Sequence, residues 1–167
     1  PRSGMIRFTY PKSEVSRIQI DLARRIGGTS TEQYVEVVDD YTIKGWMKCT
    51  PECGGWGDGE GNSDYTVYFY ATFDKPMTDY GFWSADIPDS WSRHKDDVVS
   101  DAYLERVAQS EIIRGQNEIE GKHIGFFSDF ATKEGETVTM KVGISFVSAE
   151  GAARNLFSEV RNLDFDQ

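Results

Sequence analysis

The chain has 167 residues, a length that fits one domain and allows a hydrophobic core of ordinary size. Its 13% aromatic content favours a sheet-rich fold. A formal net charge of −10 argues against nucleic acid or an anionic membrane surface as a partner, because both require a basic footprint. No apolar run is long enough to span a bilayer, and the lack of an initiator Met before Pro1 predicts that the chain is part of a longer polypeptide.

Alternating apolar and polar residues predict strands along most of the chain. Ile18, Ile20 and Leu22, for example, share one face of a strand. Turn signals separate the strands, as at Pro11 and at Asp39-Asp40. The predicted strands are Met5–Tyr10, Val15–Leu22, Tyr34–Val38, Thr42–Lys48, Tyr65–Phe73, Tyr80–Ile87, His123–Phe130 and Glu136–Ser148.

The segment 88–121 is highly charged, and we interpret it as a partly helical excursion from the sheet. A surface helix is predicted over Asp101–Ile113, because four apolar residues have helical spacing: Tyr103, Leu104, Val107 and Ala108.

The C-terminal segment is predicted to pass without a turn from a strand into a helix. The apolar strand face comprises Val138, Met140, Val142, Ile144 and Phe146. The helix begins at Ala149, and helical spacing relates Ala152, Ala153, Leu156, Phe157 and Val160. A strand that leads into a terminal helix is typical of the exit from one domain towards another. Together the elements predict a mainly β fold over residues 1–167, an antiparallel two-sheet β-sandwich with one or two short helices.

A glycine-rich loop precedes Tyr65, and it carries an oxygen-rich pattern at Asp58, Glu60, Asn62 and Asp64. The loop lacks the glycine and glutamate that an EF-hand requires, so an ordinary exposed loop is favoured over a calcium site. Cys49 and Cys53 are the only thiols. With no second Cys pair, zinc is disfavoured, and both free thiols and a small loop disulfide stay open.

The four tryptophans fall into two groups. Trp46 and Trp83 lie on predicted strands, which favours packing in the core. Trp56 lies in the glycine-rich loop and Trp91 just after Pro88, outside any strand pattern. We therefore predict Trp56 and Trp91 as substrate-binding residues, exposed platforms on which a sugar could stack, or as an interface with another domain.

No catalytic residue is assigned. Carboxylates are abundant, but a glycosidase requires two of them at a set separation across a cleft, and no carboxylate here is marked by its context. His94 lies in a charged run and is predicted to be solvated, while His123 precedes a strand and is predicted to be structural. Nucleophile-elbow, phosphate-loop and dinucleotide motifs do not occur.

Six sequence stretches together resemble the N-terminal domain of glycoside hydrolase family 92, the bacterial α-mannosidases. They occur in the family's order and span nearly the whole chain, apart from the charged segment 88–121. The stretches are Gly4–Pro11, Ile18–Leu22, Gly45-Trp46, Gly54–Trp56, Val67–Pro76 and, the most specific, Val142–Leu156.

The resemblance implies a parent enzyme of defined chemistry. Family members are similar to calcium-dependent exo-α-mannosidases that invert anomeric configuration, many with a preference for α-1,2 linkages. The resemblance implies that this chain is part of a galactose-mutarotase-like supersandwich packed on a helical catalytic domain. That missing domain would supply the catalytic acid, the base and the Ca²⁺ ligands, so no metal ligand is assigned in this chain. A bacterial periplasmic, secreted or cell-surface location is also implied.

We therefore interpret the chain as the non-catalytic β-sandwich of a mannosidase that acts on mannose-containing glycans, as in N-glycan degradation. It would support the catalytic helical domain and help to form the glycan-binding cleft. The stretch 48–53 departs from the family's usual shorter loop, which leaves the contacts of that loop open. The alternatives are a free-standing carbohydrate-binding module and a purely structural interaction domain.

Overall fold

A computed structural model describes residues 1–25, 28–50, 64–88 and 100–166 of the chain. In these residues the backbone forms twelve strands and two helices. The elements are β1 (Ser3–Tyr10), β2 (Ser13–Asp21), β3 (Arg24–Arg25), β4 (Gly28–Thr29), β5 (Glu32–Asp39), β6 (Thr42–Cys49), β7 (Tyr65–Phe73), β8 (Asp79–Ser84), α1 (Asp101–Ala108), β9 (Glu111–Ile113), β10 (Glu118–Gly121), β11 (Ile124–Thr132), β12 (Glu136–Ser145) and α2 (Ala149–Glu159).

Two antiparallel sheets form the body of the fold. The larger has six strands in the order β1-β12-β7-β6-β5-β10, and the smaller has four in the order β2-β11-β8-β9. A short hairpin pairs β3 with β4. A tight turn joins β5 to β6 at Asp39, whose carboxylate accepts a hydrogen bond from the Tyr41 N–H at 2.8 Å. The predicted two-sheet β-sandwich is confirmed.

The core lies between the two sheets and is rich in aromatic side chains. Phe82, Phe126 and Phe130 from the smaller sheet are fully buried, as are Val35 and Ile43 from the larger one. The Phe73 ring meets the Phe130 ring edge-to-face, with 5.3 Å between centroids, and so joins the two sheets. Each strand thus directs alternate residues inward, as expected of packed sheets.

The charged segment differs from its sequence-based interpretation in two ways. The helix predicted over 101–113 ends at Ala108, and Glu111–Ile113 forms β9, which pairs with β8. Because Ile113 packs on the core beside Phe82, β pairing buries more apolar surface there than another helical turn would. Residues 118–121 form a further edge strand beside β5, so the chain rejoins both sheets before residue 121.

Helix α1 was predicted to lie on the surface, but one of its side chains is buried. Its Tyr103 is only 3% exposed and packs against Ala85 and Ile87, which follow β8. The Ser100 side chain caps the helix by accepting a hydrogen bond from the Tyr103 N–H. Neither helix in the described residues is long and apolar enough to cross a membrane.

Helix α2 packs on the outer face of the larger sheet, over β12 and β7. Ser148 caps its N-terminus, accepting a hydrogen bond from the Gly151 N–H at 3.0 Å, and Ala152 and Leu156 are buried beneath it. Gly143 of β12 permits this close approach, since a β-carbon there would overlap the Ala152 carbonyl oxygen. The predicted terminal helix is confirmed. The strand before it, β12, ends at Ser145 and is therefore shorter than predicted, so the last apolar residues of the predicted strand face do not lie in the core.

Candidate functional site

The two predicted substrate-binding residues, Trp56 and Trp91, lie outside the described residues and stay predictions. The same holds for Cys53, His94 and most of the glycine-rich loop. Cys49 is buried at the end of β6. The candidate site is therefore built from the described surfaces of the sandwich.

Trp46 and Trp83 were both predicted to pack in the core, and both predictions are wrong. Each indole is half-buried on the outward face of its sheet. The reason is strand phase: Ile43 and Phe82 take the inward positions of β6 and β8, and each tryptophan lies an odd number of residues away on the same strand. The two sheets thus present one tryptophan each on their outer surfaces.

An aromatic strip crosses the outer face of the larger sheet. It consists of Tyr34, Trp46 and Tyr68, which are direct neighbours on β5, β6 and β7. The Tyr34 and Trp46 rings stack with centroids 5.9 Å apart, and the Lys48 ammonium lies 5.0 Å from the Trp46 ring centroid. A cleft of about 360 Å³ separates the strip from the N-terminus of α2.

Two carboxylates meet at the edge of the aromatic strip. Glu36 and Glu118 are cross-strand neighbours, and the Tyr34 hydroxyl is 3.0 Å from Glu36 Oε2 and 2.5 Å from Glu118 Oε2. Partial burial and the sharing of its single proton between these two carboxylates raise the pKa of the Tyr34 hydroxyl, which stays protonated. Lys44 Nζ adds a positive charge 3.4 Å from Glu36.

Apolar side chains are exposed around α2. Ile144, Phe146 and Val147 lie where β12 leads into the helix, and they are 37%, 67% and 81% exposed; Phe157 of α2 is 43% exposed. Phe146 and Phe157 each contact a tyrosine of β7 edge-to-face, which holds them on the sheet surface. Large apolar side chains left at the surface together are typical of an interaction site.

A second cleft, of about 370 Å³, lies on the outer face of the smaller sheet; we call it the Trp83 cleft. All four strands of the smaller sheet contribute to its floor, and the C-terminal end of α1 with the following turn forms its wall. The residues that line it include Gln19, Asp21, Trp83, Val107, Ser110 and Ile112. One row of the floor runs in register from Asp21 through Gly125 and Trp83 to Ile112.

Two glycines shape the floor of the Trp83 cleft. The benzenoid ring of Trp83 lies directly over Gly125, and the Phe127 ring lies over Gly81, so that a β-carbon at either glycine would overlap a ring. The two rings therefore contact the backbone of the neighbouring strand directly. This arrangement leaves an open cleft above the sheet.

The charges beside the Trp83 cleft are largely neutralised. The Arg17 guanidinium donates to both oxygens of the buried Asp129, at 2.7 and 2.9 Å, and lies 4.3 Å from the Phe127 ring centroid. Partial burial raises the pKa of the Asp21 carboxyl, whose Oδ1 accepts a hydrogen bond from the Ala23 N–H. The site is polar but carries no strong excess of either charge.

His123 has a structural environment. It is 4% exposed, and its Nδ1 lies 3.2 Å from the Tyr103 hydroxyl, so it ties α1 to the start of β11. Its φ of 53° places it in the left-handed region at the turn between β10 and β11. Among the residues that the structure describes, no group of three or more His, Cys, Asp or Glu side chains could hold a metal ion.

Comparisons with known proteins identify relatives of the whole chain. The family described as glycosyl hydrolase family 92 N-terminal domain matches residues 1–145. The fold is similar to that of a family GH92 α-mannosidase from Bacteroides thetaiotaomicron, with 32% sequence identity and a TM-score of 0.70. That similarity covers 99% of this chain and 19% of the mannosidase, so the chain spans about a fifth of that relative's length.

Two more distant structures share the fold. A family GH92 inverting mannosidase, also from Bacteroides thetaiotaomicron, has 18% identity and a TM-score of 0.66 over 98% of this chain and 17% of its own. A further glycosyl hydrolase of family GH92 has 22% identity and a TM-score of 0.64 over 99% of this chain and 18% of its own. No curated protein sequence matches the chain.

Proposed function

Because the chain belongs to glycoside hydrolase family 92 through its N-terminal domain, we propose that it is the non-catalytic β-sandwich of an exo-acting α-mannosidase. The observation that carries this proposal is the 32% identity with an α-mannosidase across 99% of the chain. Fold similarity alone would not suffice, since one fold supports many activities. The substrate class of the proposal is a glycan with terminal α-linked mannose, and α-1,2 linkages are the preferred candidates.

The proposed reaction is an inverting hydrolysis. In that mechanism a carboxylic acid protonates the leaving oxygen, and a second carboxylate activates a water on the opposite face of the sugar. We assign neither carboxylate to this chain, and we assign the proposed calcium ligands to the helical domain, where the ion would contact the sugar or organise the site. The parent is proposed to be periplasmic, secreted or at the cell surface of a bacterium.

The proposed role of this chain is to support the catalytic domain. Two surface features support this proposal. Apolar residues are exposed around α2, and the aromatic strip lies beside the N-terminus of that helix. Phe146 and Val147 are the most exposed large apolar side chains of the group, and burial against a second domain would remove them from water. Trp56 and Trp91 remain the residues proposed to contact glycan at the cleft.

A mannose-release assay tests whether the activity belongs to the parent enzyme and is absent from this chain alone. The parent enzyme with added calcium should release mannose from an α-1,2-mannobioside, and the purified 167-residue chain should release none under the same conditions. Phe146→Ser with Val147→Ser in the parent should weaken the contact between domains and lower its thermal midpoint. Ser158→Ala on the exposed side of α2 is the control and should leave the midpoint unchanged.

Either of two results would count against the proposal. Mannose release by the 167-residue chain alone would contradict the non-catalytic assignment. An unchanged midpoint in the doubly substituted parent would contradict the supporting role of the residues around α2. Normal kcat with a raised KM for Trp56→Ala or Trp91→Ala would support their assignment to glycan binding.

A further inference from the structure

We propose that the Trp83 cleft is a binding site for a pyranose ring of a glycan, built entirely from this chain and independent of the parent enzyme's catalytic residues. The proposed function enters only in the choice of a mannoside as one of the two probes. The inference rests on three properties of the cleft. It has an available aromatic surface, it has polar groups that include both hydrogen-bond donors and acceptors, and its volume suits a small ligand.

The aromatic surface is that of Trp83. The ring rests on Gly125, which fixes its position from below. Among the described residues, no other ring and no cationic side chain stacks on it, and none accepts a hydrogen bond from its indole N–H. An indole face is electron-rich and attracts the weakly positive C–H groups on the apolar face of a pyranose, while the indole N–H can donate to a hydroxyl.

The polar groups around Trp83 suit a neutral, polyhydroxylated ligand. Gln19 is exposed on the floor and offers both a carbonyl oxygen and an amide N–H₂. The Asp21 carboxylate accepts from the Ala23 N–H through Oδ1, and its Oδ2 lies 3.8 Å from Arg24 Nε; a carboxylate has further lone pairs that can accept from a ligand hydroxyl. The Ser110 hydroxyl donates to the Val107 carbonyl at 2.6 Å, so its lone pairs can accept from a ligand hydroxyl.

The charge balance disfavours an anionic ligand. The Arg17 guanidinium, which also lines the cleft, is held in a two-point ion pair with Asp129, so its positive charge is already compensated. A phosphate or carboxylate would instead meet Asp21 across the floor. The cleft volume of about 370 Å³ falls within the range of small-molecule sites, roughly 300–1,000 Å³.

The aromatic strip on the other sheet is a weaker candidate for the same role. Trp46 is already stacked against Tyr34 and covered by the Lys48 ammonium, so its faces have partners within the chain. Trp83 and Trp46 are therefore a matched pair: two half-buried, outward-facing tryptophans on opposite sheets, of which the structure leaves the first available to a ligand.

The test is a titration of the ¹⁵N-labelled 167-residue chain with α-1,2-mannobiose and, separately, with cellobiose, followed through the indole N–H signals. The Trp83 signal is identified by its absence from the Trp83→Phe spectrum. We expect it to shift with a Kd in the range of about 0.1–10 mM. Trp83→Ala should weaken binding more than about tenfold, and Trp46→Ala should leave the Kd unchanged within about twofold.

Gln19→Ala keeps the test decisive if Trp83→Ala fails to fold. Gln19 is exposed, so the variant should fold normally, and the loss of its hydrogen bonds should weaken binding about threefold to tenfold. No shift of the Trp83 signal with either disaccharide at about 50 mM, roughly five times the upper end of the expected Kd range, would overturn the proposal. So would binding that Trp46→Ala abolishes and that the Trp83 and Gln19 substitutions leave intact.

The two probes separate this inference from the proposed function. Binding of mannobiose in preference to cellobiose, lost in Trp83→Ala, would support both. Binding of cellobiose alone would uphold the pyranose site and count against mannose as the glycan that this domain recognises. Release of mannose by the parent enzyme is measured independently, so failure of the cleft to bind leaves that result unaffected.

Discussion

The benzenoid ring of Trp83 lies over Gly125 of the adjacent strand, so closely that a β-carbon at residue 125 would overlap three atoms of the indole. The two residues are direct cross-strand neighbours on β8 and β11. The glycine is therefore required by the ring that rests on it, and the position of the ring defines the floor of the Trp83 cleft.

Gly125→Ala should force Trp83 off the sheet. Overpacking at a site bounded by ring atoms and backbone should lower the free energy of unfolding by about 1–3 kcal/mol. Urea unfolding of the 167-residue chain measures the loss. Gly4→Ala is the control, because a β-carbon there has no neighbour within 4 Å, and it should change the free energy by less than about 0.5 kcal/mol. Equal stability of the two variants would contradict the close contact.

Tyr34→Phe should destabilise the larger sheet by leaving two carboxylates side by side. The Tyr34 hydroxyl hydrogen-bonds to both Glu36 and Glu118, which are cross-strand neighbours of like charge. Loss of the hydroxyl should cost about 1–2 kcal/mol in urea unfolding. Tyr41→Phe, at an exposed tyrosine of the β5–β6 turn, should cost less than about 0.5 kcal/mol.

The pH dependence of this contribution follows from the raised pKa of Tyr34. The folded state holds the proton more tightly than the unfolded chain, whose tyrosine pKa is about 10. The stabilisation is therefore complete below pH 10 and is lost as the pH rises through the pKa of the folded state. A difference between the wild-type chain and Tyr34→Phe that grew above pH 10 would contradict this assignment.

The strand pattern and the family resemblance were sufficient to predict the sandwich, but not the outward-facing surfaces. Alternation indicates which residues share a face, yet it does not say which face is inward when both are covered. β11 is such a strand: nearly every residue is buried, because Trp83 covers Gly125 and Arg17 covers Phe127 on the outer side. The positions of Trp46 and Trp83 depend on pairings between distant strands, which no local window contains.

The end of α1 shows a second limit of local patterns. Val107 and Ala108 have helical spacing, and Ile112 with Ile113 could continue it. The decisive contact is between Ile113 and Phe82 on β8, which favours a strand at this position. Helical spacing over a few residues was outweighed by the apolar burial that Ile113 gains when β9 joins the smaller sheet as its fourth strand.

Glu136 should stabilise the fold at neutral pH but not in acid. Its carboxylate accepts from Lys75 Nζ at 2.5 Å and from the Lys133 N–H at 2.7 Å, and these hydrogen bonds lower its pKa. A lowered pKa means that the folded state binds this proton less tightly than the unfolded chain. The contribution is therefore present above the unfolded value, about 4.5, and is lost as the pH falls through the folded value.

The measurement is the thermal midpoint of the wild-type chain and of Glu136→Gln across this pH range. The variant should have the lower midpoint at pH 7, and the two midpoints should converge as the pH falls below about 4. Glu14→Gln, at an exposed carboxylate of β2, should follow the wild-type chain at every pH. A difference between the wild-type chain and Glu136→Gln that persists unchanged in acid would show that the interaction is not with the carboxylate.

Gly143→Ala should displace α2 from the larger sheet. The added β-carbon would overlap the Ala152 carbonyl oxygen and lie 2.8 Å from the Leu156 N, and both are backbone atoms of the helix that cannot turn aside. The helix would have to lift away, exposing the side chains that it now buries, so the free energy of unfolding should fall by about 1–3 kcal/mol.

Hydrogen exchange distinguishes this local effect from general destabilisation. Amides of α2 should lose protection more than those of β11, because the helix opens while the second sheet is untouched. Gly4→Ala, beside Val142 on the neighbouring strand, is the matched control and should leave exchange in α2 unchanged. Since the apolar residues that we propose to contact the catalytic domain flank this helix, Gly143→Ala in the parent should also lower its thermal midpoint. Uniform loss of protection across both sheets would contradict a specific role for Gly143 in seating α2.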